Sequence, residues 1–232
     1  METILDKEQF VKRAFWLVRL RWITIGLLFG IIYVTSVFFN SMSHEIPLYF
    51  ICVILLVYNI LLYFVLQYFV RRSRKPLNQA VNRIIFLQIT ADLFILTGVI
   101  YYSGGVENPF FFYYVFHVII SSMLLSRPLS YFQATLAVVL FGMVLSLEYF
   151  QVIRHRPIIG FLDMHLFEKK YYVPAVFVAF STTLYLVVYM TTSIVSQLRI
   201  QQDKYKMQNI ELNKKDRIKD EYLLSVSHDI KS

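Results

Sequence analysis

Apolar residues gather into six blocks separated by short polar or charged stretches. A helix that crosses the hydrocarbon core of a bilayer needs about 20 mostly apolar residues, within a range of about 17–25. The blocks run from about Trp22 to Phe39, Pro47 to Val70, Ile84 to Tyr102, Pro109 to Leu125, Leu129 to Ile153 and Tyr172 to Ser196. Pro47, Pro76, Pro109, Pro128, Pro157 and Pro174 all fall in loops or at block ends. None sits mid-span, where a lost backbone hydrogen bond would need a substitute partner. The pattern predicts an all-α chain built on a six-helix transmembrane bundle over residues 22–197. Ahead of it, Gln9–Arg21 mixes Phe10, Phe15, Trp16 and Leu17 with basic residues. Residues 1–21 are therefore expected to form an amphipathic lead-in along the membrane interface.

The pattern changes sharply after the sixth block. Arg199–Ser232 holds 34 residues, no Pro or Gly, and 14 of the 38 charges. Leu198, Tyr205 and Leu212 recur every seven residues, with Gln201 and Gln208 near the intervening core positions. This is a short heptad seam, and it predicts a linker coiled coil over residues 198–218.

Composition agrees with a membrane chain. Hydrophobic residues make up 57% and charged residues 16%, against about 45–50% and about 25% in soluble domains. This excludes a disordered chain, a collagen-like repeat and a disulfide scaffold, and argues against an ordinary soluble enzyme. Cys52 is the single cysteine, so no intrachain disulfide or CxxC site is possible. A net charge of +8 would suggest nucleic acid in a soluble protein. Here it sets topology, because 19 of the 23 Lys and Arg residues fall on one side of the six blocks. The positive-inside rule puts both termini in the cytoplasm. No cleaved signal peptide is expected, since the N-terminus lacks the short apolar stretch and small-residue site.

The chain ends KDEYLLSVSHDIKS, Lys219–Ser232. A partly exposed neutral imidazole is a nitrogen nucleophile, and a neighbouring carboxylate can orient it or take its proton. This string resembles the start of the H-box of sensor histidine kinases. The resemblance makes His228 the phosphoacceptor and Asp229 the adjacent acidic residue. Asp229 replaces the commoner Glu, Lys231 stands for Arg and Ser232 for Thr. Residues 219–232 would then open the phosphoacceptor (dimerisation) domain. The ATP-binding domain, with its ATP and Mg2+, would lie outside these 232 residues, and the chain would be inactive alone. A homodimer and a cytoplasmic response regulator are the implied partners.

Between the third and fourth blocks the chain reads YYSGGVENPF, Tyr101–Phe110. Local physics accounts for much of it. Gly104 and Gly105 permit a tight turn, Asn108 is a favoured helix N-cap and Pro109 a favoured first helical residue. The combination GGVENPF also resembles the GGxxNPF heptapeptide of RegB/PrrB-type redox-responsive sensor histidine kinases, where it lies between the third and fourth of six spans. With the H-box start, the resemblance covers nearly the whole chain. It implies a bacterial inner-membrane protein that senses the redox state of the quinone pool, ubiquinone or menaquinone, with oxidised quinone lowering kinase output. Cys52 has no counterpart to that family's redox cysteine and reads as a small buried hydrophobe.

Ionisable groups inside spans cost on the order of 2.5–3.5 kcal/mol each, so they mark candidate sites. Asp92 is near the middle of the third block, on a face with Gln88 and Ser103, and is a candidate signalling residue. His117 lies about 12 Å into the fourth block and Glu148 about 8 Å from the outer end of the fifth. These similar depths suggest that Glu148 orients His117. A quinone headgroup needs hydrogen-bond donors and a stacking surface. Gly104, Gly105, Asn108, Pro109, Phe110, Tyr114, His117 and Glu148 are the candidate quinone-binding residues, with Tyr113 beside them. An interhelical hydrogen bond that holds the bundle is the alternative role for each buried polar group. His155, Asp163, His165 and Glu168 match no compact metal motif, so no metal site is expected. No phosphate loop or nucleic-acid module is present either, and the basic cluster at 71–75 reads as a lipid-headgroup anchor. Two rivals remain. One is a six-span kinase sensor with another input, such as a lipophile, bilayer state or an outer-loop signal. The other is a small transporter, for which the broken helices and inverted repeats are absent.

Overall fold

The computed structural model describes residues 4–39, 45–72, 77–156 and 166–231. Among these the regular structure is entirely helical: α1 (Ile4–Phe39), α2 (Glu45–Arg72), α3 (Leu77–Tyr102), α4 (Tyr113–Leu124), α5 (Arg127–Tyr149) and α6 (Tyr172–Lys231). Short 3-10 turns occupy Gly105–Glu107, Pro109–Phe112 and Leu166–Glu168. Five helices are long and apolar enough to cross a membrane, over Ala14–Val37, Ile46–Tyr68, Val81–Tyr102, Arg127–Tyr149 and within Tyr172–Glu221. Pro109–Leu124 is a shorter apolar helix. The chain divides into two compact units, Met1–Tyr189 and Met190–Ser232.

The first unit holds two buried apolar clusters. One joins Leu93 and Ile100 of α3, Tyr114 and Val118 of α4, Ala137 and Phe141 of α5, and Phe180 and Leu184 of α6. Aromatic rings dominate it: the centroids of Phe141 and Phe180 are 4.5 Å apart, and Phe111 stacks on Phe141 at 5.2 Å. The fully buried Ala134 and Ala137 let backbones approach, which matters where lipid removes most of the hydrophobic drive between helices. The second cluster joins Ala14, Leu17 and Val18 of α1, Leu66 of α2, Val81, Ile85 and Ile89 of α3, and Leu124 and Leu125.

That second cluster corrects the lead-in. The segment from Ala14 to Arg21 is part of a continuous α1 and packs into the bundle. The Arg21 side chain is buried, and the apolar span that contains it begins at Ala14. Along α1 and α2, by contrast, Ile23, Leu27, Phe29, Phe50, Leu61 and Phe64 are all more than half exposed, the expected surface toward lipid acyl chains.

In the second unit, α6 carries a polar, solvated surface. Leu198, Tyr205 and Leu212 are 51%, 67% and 57% exposed, so the heptad seam lacks cover within one chain. Lys215–Glu211 and Arg217–Glu221 form ion pairs one turn apart, at 2.8 and 3.3 Å.

Candidate functional site

The heptapeptide Gly104–Phe110 closes the α3–α4 connection. Gly104 (φ 111°) and Gly105 (φ 54°) both lie in the left-handed region, where an L side chain is strained. Their turn lets the Glu107 N–H donate to the Gly104 carbonyl at 2.9 Å. Asn108 is 1% exposed and holds the entry to the next turn. Its Oδ1 accepts from the Phe110 N–H at 2.8 Å, and its Nδ2 donates to Ser103 Oγ. Pro109 follows at the first helical position, where its missing N–H costs nothing. Gly104, Gly105 and Asn108 are thus buried framework, with polar groups satisfied inside the turn. Asn108→Ala is expected to lower stability by about 1–2 kcal/mol through loss of the cap. Thermal unfolding of the purified chain in micelles measures it, and Asn108→Ser, which keeps a capping oxygen without burying a charge, should lose less.

The accessible part of the heptapeptide lies just beyond it. Phe110 and Tyr113 are each 37% exposed and stack with centroids 5.5 Å apart. Phe116 is 5.8 Å from Tyr113. His117 is half-buried on the next turn of α4, its Nδ1 3.0 Å from the Tyr113 carbonyl. Tyr114 departs from this group. It is fully buried, and its hydroxyl is 2.6 Å from Thr97 Oγ1. Its ring is committed to the core between Phe141 and Phe180.

The expected His117–Glu148 pair does not form. Glu148 is 1% exposed and pairs instead with His155, whose Nδ1 is 3.3 Å from Glu148 Oε1. The other ring nitrogen, Nε2, is 3.1 Å from Glu107 Oε2. Glu107 Oε1 in turn accepts from the Leu166 N–H at 2.8 Å. Phe167 stacks on the imidazole at 4.0 Å between centroids. The α3–α4 connection, the end of α5 and the α5–α6 connection therefore meet on one buried ring. Burial alone would pull the His155 pKa down. Hydrogen bonds and charge from Glu148 and Glu107 outweigh that and hold it above the ordinary 6.5. In the sequence His155 stands out only as one of four loop residues of metal-ligating type, and Glu107 occupies the second variable position of the heptapeptide. Among the described residues, no group of three or more His, Cys, Asp or Glu side chains is placed to hold a metal ion. Asp163 and His165 lie outside the described residues.

Asp92 belongs to a separate cluster. Arg21 Nη2 lies 2.6 Å from Asp92 Oδ2, and Arg21 Nη1 donates to Asn59 Oδ1 at 3.2 Å. Asn59 Nδ2 then donates to the Val18 carbonyl at 3.3 Å, and the Tyr58 ring sits 4.9 Å under the guanidinium. Helices α1, α2 and α3 are joined here by one charged pair and one amide. Nearby on α3, Gln88 is 1% exposed. His228 and Asp229 fall within the helical backbone of α6, with side chains outside the described set.

Residues 5–199 match the model of the PilS-like six-helix transmembrane domain. Searches of the curated proteins and of the solved structures give no match. The match spans most of the chain, including the Gly104–Phe110 turn. The chain belongs to the PilS-like transmembrane domain family, a family of sensor histidine kinase membrane domains.

Proposed function

We propose that this chain is the membrane sensor portion of a two-component sensor histidine kinase that reads the redox state of the quinone pool. It would lie in a bacterial inner membrane with both termini in the cytoplasm. It would act as a homodimer through the exposed Leu198–Leu212 seam. Its output would be ATP-dependent phosphorylation of His228, with Asp229 as the adjacent acid, followed by transfer to a response regulator. ATP and Mg2+ would be held by the kinase's catalytic domain.

One observation carries the quinone reading. The heptapeptide turn delivers a stacked, partly exposed pair, Phe110 and Tyr113, one turn before half-buried His117. A quinone ring needs a flat stacking surface, a donor to a carbonyl oxygen and a route for its tail from the lipid. Phe110 and Tyr113 supply the first, and the Tyr113 hydroxyl would supply the second; His117 gives its Nδ1–H to the Tyr113 carbonyl, which leaves Nε2 as an acceptor for a quinol hydroxyl. Gly104, Gly105, Asn108 and Pro109 would act by holding that surface. A ligand shifts the kinase only through different affinity for its two states. Asp92 would contribute by coupling α3 to α1 and α2.

The test is titration of the 232-residue chain in nanodiscs with ubiquinone and with menaquinone. Saturable binding is expected, with loss of at least tenfold in Tyr113→Leu/His117→Leu. Those positions are partly exposed, so this variant should keep the fold, whereas Asn108→Ala acts on the turn itself. Absence of saturable binding above the lipid background would overturn the quinone reading. A second reading, a kinase sensor with a different input at this end of the bundle, is favoured by the internal satisfaction of Asn108 and by the His155 cluster.

A further inference from the structure

We propose that His155 is a proton-operated clasp that locks the α3–α4 turn to the end of α5 and to the α5–α6 connection. It responds to pH in the aqueous phase at that end of the bundle, which the Lys and Arg distribution places outside the cytoplasm. The clasp operates whether or not a quinone binds.

The geometry is that of a bridged cation. The two carboxylates face opposite ring nitrogens, Glu107 at Nε2 and Glu148 at Nδ1. A neutral imidazole carries one N–H, so it can donate to only one of them. The other carboxylate would then face a lone pair. Only the imidazolium donates to both, and it does so through two charge-assisted bonds. All three side chains are at most 6% exposed, so water cannot take over the lost bond without opening the site. Phe167, stacked on the ring, also favours the cation. The imidazolium occupies the space between the carboxylates, so the pair has no room to converge on a metal ion.

The surroundings leave the cluster short of positive charge. Glu148 Oε2 is buried without a hydrogen-bond partner among the described residues. It lies over Gly105, where a Cβ would sit 2.1 Å away. Arg156, from the segment after α5, stacks on Tyr102 of α3 at 4.7 Å. The Arg154 carbonyl accepts from the Tyr101 hydroxyl at 3.4 Å, and the Arg154 side chain is exposed, as are Glu168, Lys169 and Lys170 beyond Phe167. Loss of the His155 proton therefore leaves two buried carboxylates with no cation between them. The consequence is mechanical: Leu166 is tied to Glu107 by its backbone N–H, so separation of Glu107 frees the approach to α6.

The linkage has a definite sign. A histidine whose folded pKa is raised stabilises the closed state fully below its unfolded value, about 6.5, and that stability is lost as pH rises through the folded value. The experiment uses the 232-residue chain in quinone-free nanodiscs with 13C-labelled histidine, titrated by NMR from pH 5 to 9. The His155 signal, assigned by its loss in His155→Gln, should titrate above 6.5. Glu107→Gln and Glu148→Gln, which preserve shape, should each lower the midpoint and identify the signal even if His155→Gln fails to fold. Intrinsic-rate-corrected hydrogen exchange of peptides covering 104–112 and 166–172 should speed up across the same midpoint. The increase is about tenfold for each pH unit by which the midpoint exceeds 6.5. A midpoint at or below 6.5, a midpoint unmoved by both carboxamide variants, or exchange that ignores the titration would each overturn the clasp.

Discussion

Gly105→Ala is expected to lower the stability of the membrane unit by about 2–5 kcal/mol, combining a left-handed backbone penalty of about 1–2 with buried overpacking of about 1–3. Both terms act at one position. Gly105 has φ 54°, and a Cβ there would meet Glu148 Oε2 at 2.1 Å and Oε1 at 2.3 Å. The carboxylate cannot swing away cheaply, because it is buried and paired with His155. Other glycines supply the scale. At Gly142 a Cβ would meet only the Phe177 ring, at 2.6 Å, and at Gly26 nothing lies within 4 Å. Gly142→Ala should cost less, and Gly26→Ala should be neutral or slightly stabilising, since Ala exceeds Gly in helix propensity by about 1 kcal/mol. Thermal unfolding of the three variants in one detergent gives the order. In a Glu148→Ala background the further cost of Gly105→Ala should fall to the backbone part, about 1–2 kcal/mol. Equal costs in the two backgrounds would show that the carboxylate is not what Gly105 avoids.

The second large effect is expected at Asp92. Removal of one member of a buried ion pair costs about 3–5 kcal/mol, because the other charge is left unpaired. Asp92→Ala would strand Arg21, which is 5% exposed. Among the described residues, Arg21 would keep Asn59 Oδ1 and the face of Tyr58. Replacement of both partners by apolar residues, Arg21→Met with Asp92→Leu, should recover most of the loss, since the pair's own attraction barely exceeds its desolvation cost. Unfolding free energies of Arg21→Met, Asp92→Leu and the double variant close the cycle. If Asp92→Ala unfolds like wild type, the pair does not hold α1 to α3.

What could be read from the chain alone follows from which forces are local. The helices were legible because bilayer thickness imposes a length on every apolar block, and prolines mark the breaks. The turn was legible too, since Gly104, Gly105, Asn108 and Pro109 each have a local backbone reason to be there. Partnerships between distant residues were not. Depth along the helices suggested His117 for Glu148, but depth says nothing about which way a side chain faces around the axis, and Glu148 turned toward Gly105 and His155. Helical i, i+4 spacing likewise would put Tyr114 beside Phe110, whereas α4 begins only at Tyr113 after a tighter 3-10 turn, and that change of pitch rotates Tyr114 into the core. Arg21 looked like the end of a membrane segment because its charge was counted without a partner. The missing signal was a balance of charges: Asp92 sat mid-span with no basic residue in its own block, and Asn59 was an unexplained amide in the middle of the second block.

The membrane must also fit the chain where its apolar helices end. Pro109–Leu124 is the shortest of them, a four-residue 3-10 turn followed by the 12 residues of α4. At the usual rises it is about 26 Å long, whereas the hydrocarbon core is about 30 Å thick. This hydrophobic mismatch of about 4 Å, at a fraction of a kcal/mol per Å, is expected to be met by thinner lipid around α4. The domain should therefore partition toward the thinner regions of its membrane. A lipid mixture that thickens the bilayer would draw on the segment that begins at Pro109, immediately beside Glu107 and the glycines.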